Sequence, residues 1–148
     1  MDYKSFLLRK GGSNVIDSKE QWGILAKSVP FVLVPDVKEY SKIDWPDEDG
    51  DDEYIPEDPH FKAYEMTVSF VYIGDYETAN MQIKAFWDFV KQGEFELYDQ
   101  YTKIGREKVR YVGYENDAFR RRTSDGDIVE FKFKFKVNNP TKDITLSL

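Results

Sequence analysis

The chain contains no cysteine and one histidine, His60, and these two shortages remove much familiar chemistry. Without cysteine there is no disulfide framework, no thiol nucleophile and no Cys-ligated zinc or iron–sulfur site. With a single histidine, His-clustered zinc centres and the HExxH metalloprotease helix are excluded as well. No run of 18 apolar residues occurs, so no membrane insertion is expected. The opening MDYKSFLLRKGG lacks a secretory h-region and predicts an unprocessed, soluble chain. GxxxxGK[ST], GxGxxG and GxSxG are all missing, which removes the phosphate cradle, the dinucleotide turn and the nucleophile elbow.

What is present is aromatic and acidic. A chain of 148 residues can bury about 70% of its unfolded surface in one core. Phe, Tyr and Trp number 11, 10 and 3, far more large apolar surface than a disordered chain carries. The formal charge of −7, from 28 acidic and 21 basic residues, opposes direct nucleic-acid binding, because a phosphate backbone attracts a positive field. The whole excess lies in residues 1–60, with 14 acids against 7 bases, whereas residues 61–148 balance at 14 of each. Its focus is 44–58, DWPDEDGDDEYIPED, nine carboxylates in fifteen residues with two prolines. Such a run repels itself and resists burial, so an exposed acidic loop within a single domain, 1–148, is expected.

Periodicity supplies the fold. Residues 64–73 alternate in period two, with Met66, Val68, Phe70 and Tyr72 on one face, and the upper end reads as buried on both faces. Period then lengthens to 3.6: Ala79, Ile83, Phe86, Trp87 and Val90 share a stripe, which predicts one packed helix near 75–92, capped by Asp75 and Gly93, with Trp87 and Phe86 as its largest anchors. Further strands are expected at 95–97, at 108–114 with a bulge or close approach at Gly113, and at 129–137, where Phe131, Phe133 and Phe135 alternate with lysines. A hairpin turn is expected at 124–127, PFVLV at 30–34 suits an edge strand or docking segment, 11–19 reads as a turn beside a short strand at Val15 and Ile16, and 139–148 as a mobile tail or short terminal strand. The fold class is mainly β (α+β), antiparallel sheets forming a sandwich or split barrel, with a helix-to-sheet core of Ile83, Phe86, Trp87, Val90, Phe131, Phe133 and Phe135.

Candidate chemistry is sparse. Asp47, Asp49 and Asp52 cluster around Gly50, but an EF-hand register places Trp45 first and Pro56 last, so the loop is read as solvated or as a subunit contact, with no metal site. His60 lacks any evident catalytic partner. Glu94, Glu96 and Asp99 fail the paired-carboxylate test, since two glutamates two apart on a strand share a solvent face. No catalytic residue and no cofactor is assigned. Arg120, Arg121 and Arg122 form the strongest basic point. They suit pairing with Asp47, Glu48, Asp49, Asp51 and Asp52 of a neighbouring copy as a candidate subunit interface, or an ordinary hairpin tip, ahead of phosphate contact.

The order of these features resembles a known family. YKSFLL, a VPD followed by the charged loop, FKAYEMTVSFVYIG, IKAFWDFVKQG, FELYDQ, YVGYEND and FKFKFKV together resemble the N-terminal domain of siphovirus-type phage distal tail proteins across most of residues 2–138. The resemblance implies a β-rich fold with a packed helix, assembled as a hexameric ring that joins the tail tube to the adsorption apparatus, with other phage tail proteins as partners. It implies a virion or prophage component, present in the bacterial cytoplasm during assembly. By position, Asp44 to Asp58 match the charged segment, Ile83, Phe86 and Trp87 the helix, and Phe95, Leu97 and Tyr98 the strand after it. Many members continue into a carbohydrate-binding-like second domain, which these 148 residues do not hold, so a ring component or adaptor is implied rather than a receptor binder. A small protein- or ligand-binding module and an unrecognised enzyme are the alternatives from other classes.

Overall fold

In the computed structural model, residues 3–75, 77–124 and 126–148 are described, with the side chains of 116–119 outside the description. Among the described residues nine strands and two helices follow in order: β1 (Phe6–Arg9), β2 (Ile16–Asp17), α1 (Ser18–Trp22), β3 (Ile24–Ser28), β4 (Lys42–Ile43), β5 (Asp52–Glu53), β6 (Tyr64–Gly74), α2 (Ala79–Val90), β7 (Phe95–Asp99), β8 (Ile104–Thr123) and β9 (Gly126–Val137). Seven strands form one antiparallel sheet in the order β2-β1-β7-β8-β9-β6-β3, and β4 and β5 form a separate ribbon.

Register explains the core. Met66, Val68, Phe70 and Tyr72 stand opposite Phe135, Phe133, Phe131 and Val129, and directly opposed residues share a face, so the two period-two stripes make one apolar wall. Phe86 of α2 is fully buried in it, with ring centroids 5.0 Å from Phe70 and 5.5 Å from both Phe6 and Phe133. The sheet also curls back on itself. The Ala26 N–H donates to the Lys4 carbonyl at 3.0 Å, joining β3 to the residue that leads into β1. Ser18, fully buried in this seam, accepts from the Phe6 N–H and donates to the Ile24 carbonyl. The mainly-β class with one packed helix is therefore observed, as a single curled antiparallel sheet closed at one narrow seam.

Several local expectations need correction. The principal helix is shorter than 75–92: Thr78 precedes it with no side-chain cap bond, and Lys91 ends it. Asp75 instead accepts from the Glu77 N–H in the lead-in turn, and Gly93, at φ +72°, lies past the helix end. Lys10 supplies the C-terminal cap, donating to the carbonyls of Phe89 and Gln92, and the burial this requires lowers its pKa. Phe86 is the central anchor, whereas Trp87 and Ile83 are only partly buried at the edge of the cluster. At the top of β6, Val71 and Tyr72 are buried but Ile73 is 52% exposed.

PFVLV forms no strand; Phe31 packs on the core while Leu33 and Val34 are exposed. The 11–19 turn runs into β2 and then α1, whose N-cap is Asp17 and whose left-handed terminator is Gly23. The expected bulge is real, as a register shift between Tyr111 and Gly113. Asp125, in the hairpin turn expected at 124–127, lies outside the described residues. The closing segment has irregular backbone and is pinned to the body: the Ile144 N–H donates to the Gly105 carbonyl at 3.2 Å, Leu146 is buried, and Asp143 pairs with the buried Arg106.

Candidate interaction surface

Between β3 and β6 the chain makes a long hairpin-like excursion, referred to below as the arm. Its base is held by the Val37–Phe61 bridge, with Lys38 N–H donating to the His60 carbonyl at 2.9 Å and Lys62 N–H to the Asp36 carbonyl at 2.7 Å. Further out, Lys42 and Ile43 pair with Glu53 and Asp52, and Tyr54 N–H bonds the Ser41 carbonyl at 3.0 Å. Its tip turns through Trp45 to Gly50, the latter at φ +78°. The carboxylate density accounts for this shape, because charges that repel one another stay hydrated only if the segment stands away from the core.

Asp47, Glu48, Asp49, Asp51 and Asp52 all lie on this exposed tip, and Asp51 is 3.5 Å from Lys42. More unusual are the apolar side chains among them. Leu33, Val34, Val37, Ile43, Trp45, Tyr54 and Ile55 are all exposed, Val34 at 85%, Tyr54 at 73% and Ile55 at 71%. Seven large apolar side chains are thus exposed along this one excursion of the chain.

The arginines are divided by strand geometry. Arg120 stands opposite Val129 and Arg122 opposite Asp127, on the core side, whereas Arg121 opposes Ile128 on the other face. Arg120 is engaged within its own chain: Nε donates to the buried Asp127 carboxylate at 2.8 Å and one terminal nitrogen to Asn80 Oδ1 at 3.0 Å. Arg121 and Arg122 are exposed.

The other singled-out acids have local work. Glu96 is bridged to Arg9 at 2.6 Å, directly across the β1–β7 pair. Asp99 is buried and accepts from the Tyr101 and Thr102 N–H groups and the Thr102 hydroxyl, so it holds the turn between β7 and β8. Glu94 is exposed, as is His60. Among the described residues no group of three or more His, Asp or Glu is placed to hold a metal ion, and no described helix is long and apolar enough to cross a membrane.

A second surface lies between α2 and the β8–β9 hairpin, a groove of about 390 Å³ lined by Asn80, Ile83, Lys84, Trp87, Tyr111, Tyr114 and Phe133. Its wall follows from the bulge. Tyr111 and Tyr114 are three apart and would face opposite ways in a regular strand; the register shift turns both toward Phe135 and Phe133. Trp87 meets Tyr111 edge-on at 6.4 Å, and Lys91 sits 4.1 Å above the Trp87 ring. Gly113 signals this site in the sequence, but only through the side chains that it re-aims.

Comparison with protein-family models and with curated proteins finds no match to this chain.

Proposed function

We propose that the chain is a non-catalytic structural subunit of a phage tail tip, assembling as a ring or adaptor between tail tube and adsorption apparatus. The observation that supports this reading is the arm, which carries exposed tyrosine, tryptophan and branched aliphatic side chains among carboxylates on a body whose main apolar face is already filled. A solvated spacer has no use for the apolar residues, and a buried element has no use for the acids; an interface with a cationic, partly apolar partner uses both. The order of sequence motifs shared with distal tail proteins supports the setting. Neighbouring copies in a ring meet head to tail, so the arm must face a different surface on the next copy.

Sedimentation and native mass spectrometry of the full chain across a concentration series, at two salt levels, test the reading. A hexamer or hexamer-forming equilibrium is the expected result, with weaker assembly at high salt because exposed charge pairs are screened. A monomer at every concentration contradicts self-assembly.

A further inference from the structure

We propose that the groove between α2 and β8 receives the arm of a second copy of this chain, seating Tyr54 and Ile55 against Trp87, Tyr111 and Tyr114. The inference rests on the assembly reading and names the surface that meets the arm. The groove presents an aromatic, largely apolar lining with the cation of exposed Lys84 at its side, while Lys91 and Arg120 nearby are paired with Asp88 and Asp127 of their own chain. The arm presents the converse: two apolar side chains more than two-thirds exposed, preceded by Asp52 and Glu53 and followed by Glu57 and Asp58. Apolar surface thus meets apolar surface while Lys84 faces the carboxylates that flank Tyr54 and Ile55, the combination that fixes partner and register.

The occupant is another copy rather than the same chain. Every residue lining the groove comes from α2, β8 or β9, and none from the arm. Arm and groove are different surfaces, so their contact is heterologous and repeats from copy to copy until a ring closes. Tyr and Trp are also the side chains that most often dominate the energy of such contacts.

The absence of native cysteine makes the test direct. Full-length Ile55→Cys and Lys84→Cys proteins are mixed and treated with a short bis-maleimide, with Ile55→Cys plus Ser147→Cys as control, and the assembly state of each mixture is measured by sedimentation. The expected result is a crosslinked dimer in the first mixture, background product in the control, and loss of the dimer when Tyr114→Glu is added to the Lys84→Cys protein. Tyr114 is half exposed, so the added carboxylate opposes the acidic arm without entering the core. An assembled protein that gives no crosslink above the control overturns the groove as receptor and leaves the assembly reading standing. A wild-type protein that stays monomeric at every concentration, together with an uncrosslinked mixture, overturns both.

Discussion

The Ser18 hydroxyl accepts a 3.0 Å hydrogen bond from the backbone N–H of Phe6, and through its second bond, 2.7 Å to the Ile24 carbonyl, it ties the two ends of the curled sheet together. Beside it, among the described residues, the seam has the Ala26–Lys4 bridge, so one side chain carries much of the closure. Ser18→Ala should leave a buried donor and a buried acceptor unpaired and cost on the order of 1–3 kcal/mol. Urea denaturation would show a lower midpoint with an unchanged slope; an unchanged midpoint would contradict the seam.

Phe86→Ala should cost about 3–5 kcal/mol, since a fully buried ring contacting Phe6, Phe70 and Phe133 leaves a cavity. Trp87→Ala should cost clearly less, because Trp87 is half-buried and borders the open groove. Denaturation of both variants decides the order, and equal losses would mean that the helix is seated differently.

Gly126 opens β9 at φ +133°, and a Cβ there would lie inside contact distance of the Gly74 carbonyl oxygen on the paired strand. Gly126→Ala should therefore destabilise by an amount on the order of 1–3 kcal/mol, through both strain and overlap. Thermal unfolding beside a Gly12→Ala control, where a Cβ meets nothing, checks this; equal effects would contradict it.

Glu107 anchors the start of the closing segment. The hydrogen bond from Asn139, at 2.7 Å, and then Lys142 hold its carboxyl below the usual glutamate range. A depressed folded-state pKa stabilises above the unfolded value and is lost as pH falls through the folded one. The stability gap between wild type and Glu107→Gln should be present at neutral pH and vanish in acid, below the ordinary glutamate range. A gap constant across that titration would exclude a charge-dependent anchor.

The central strands were legible because burial on one face imposes a period of two, as in the Phe131, Phe133 and Phe135 stripe, and α2 because a half-covered helix imposes 3.6. A five-residue helix is too short to show a period, so α1 was not legible, and its caps Asp17 and Gly23 read only as turn residues. Closure at Lys4 and Ala26 is a tertiary event without local signature. The exposure of the acidic arm followed from charge, but its ribbon did not, since Asp52 and Glu53 have poor strand propensity and pair only because Lys42 and Ile43 lie opposite. Three consecutive arginines cannot share one face of a strand, a consequence visible only once β8 is known to run to Thr123. The groove was hidden for a related reason: Gly113 signalled a bulge, but that the bulge puts Tyr111 and Tyr114 on one face depends on the register with β9.

The central claim is that the arm joins copies through its apolar side chains, and native mass spectrometry of wild type beside Tyr54→Ser/Ile55→Ser at matched concentration tests it most directly. Both side chains are exposed, so the double variant should keep the wild-type circular dichroism spectrum, while its unfolding midpoint falls only by the contribution of assembly. The account predicts a hexamer or hexamer-forming equilibrium for wild type and a shift to smaller species for the variant; a monomeric wild type, or a variant that assembles as wild type does, would contradict it.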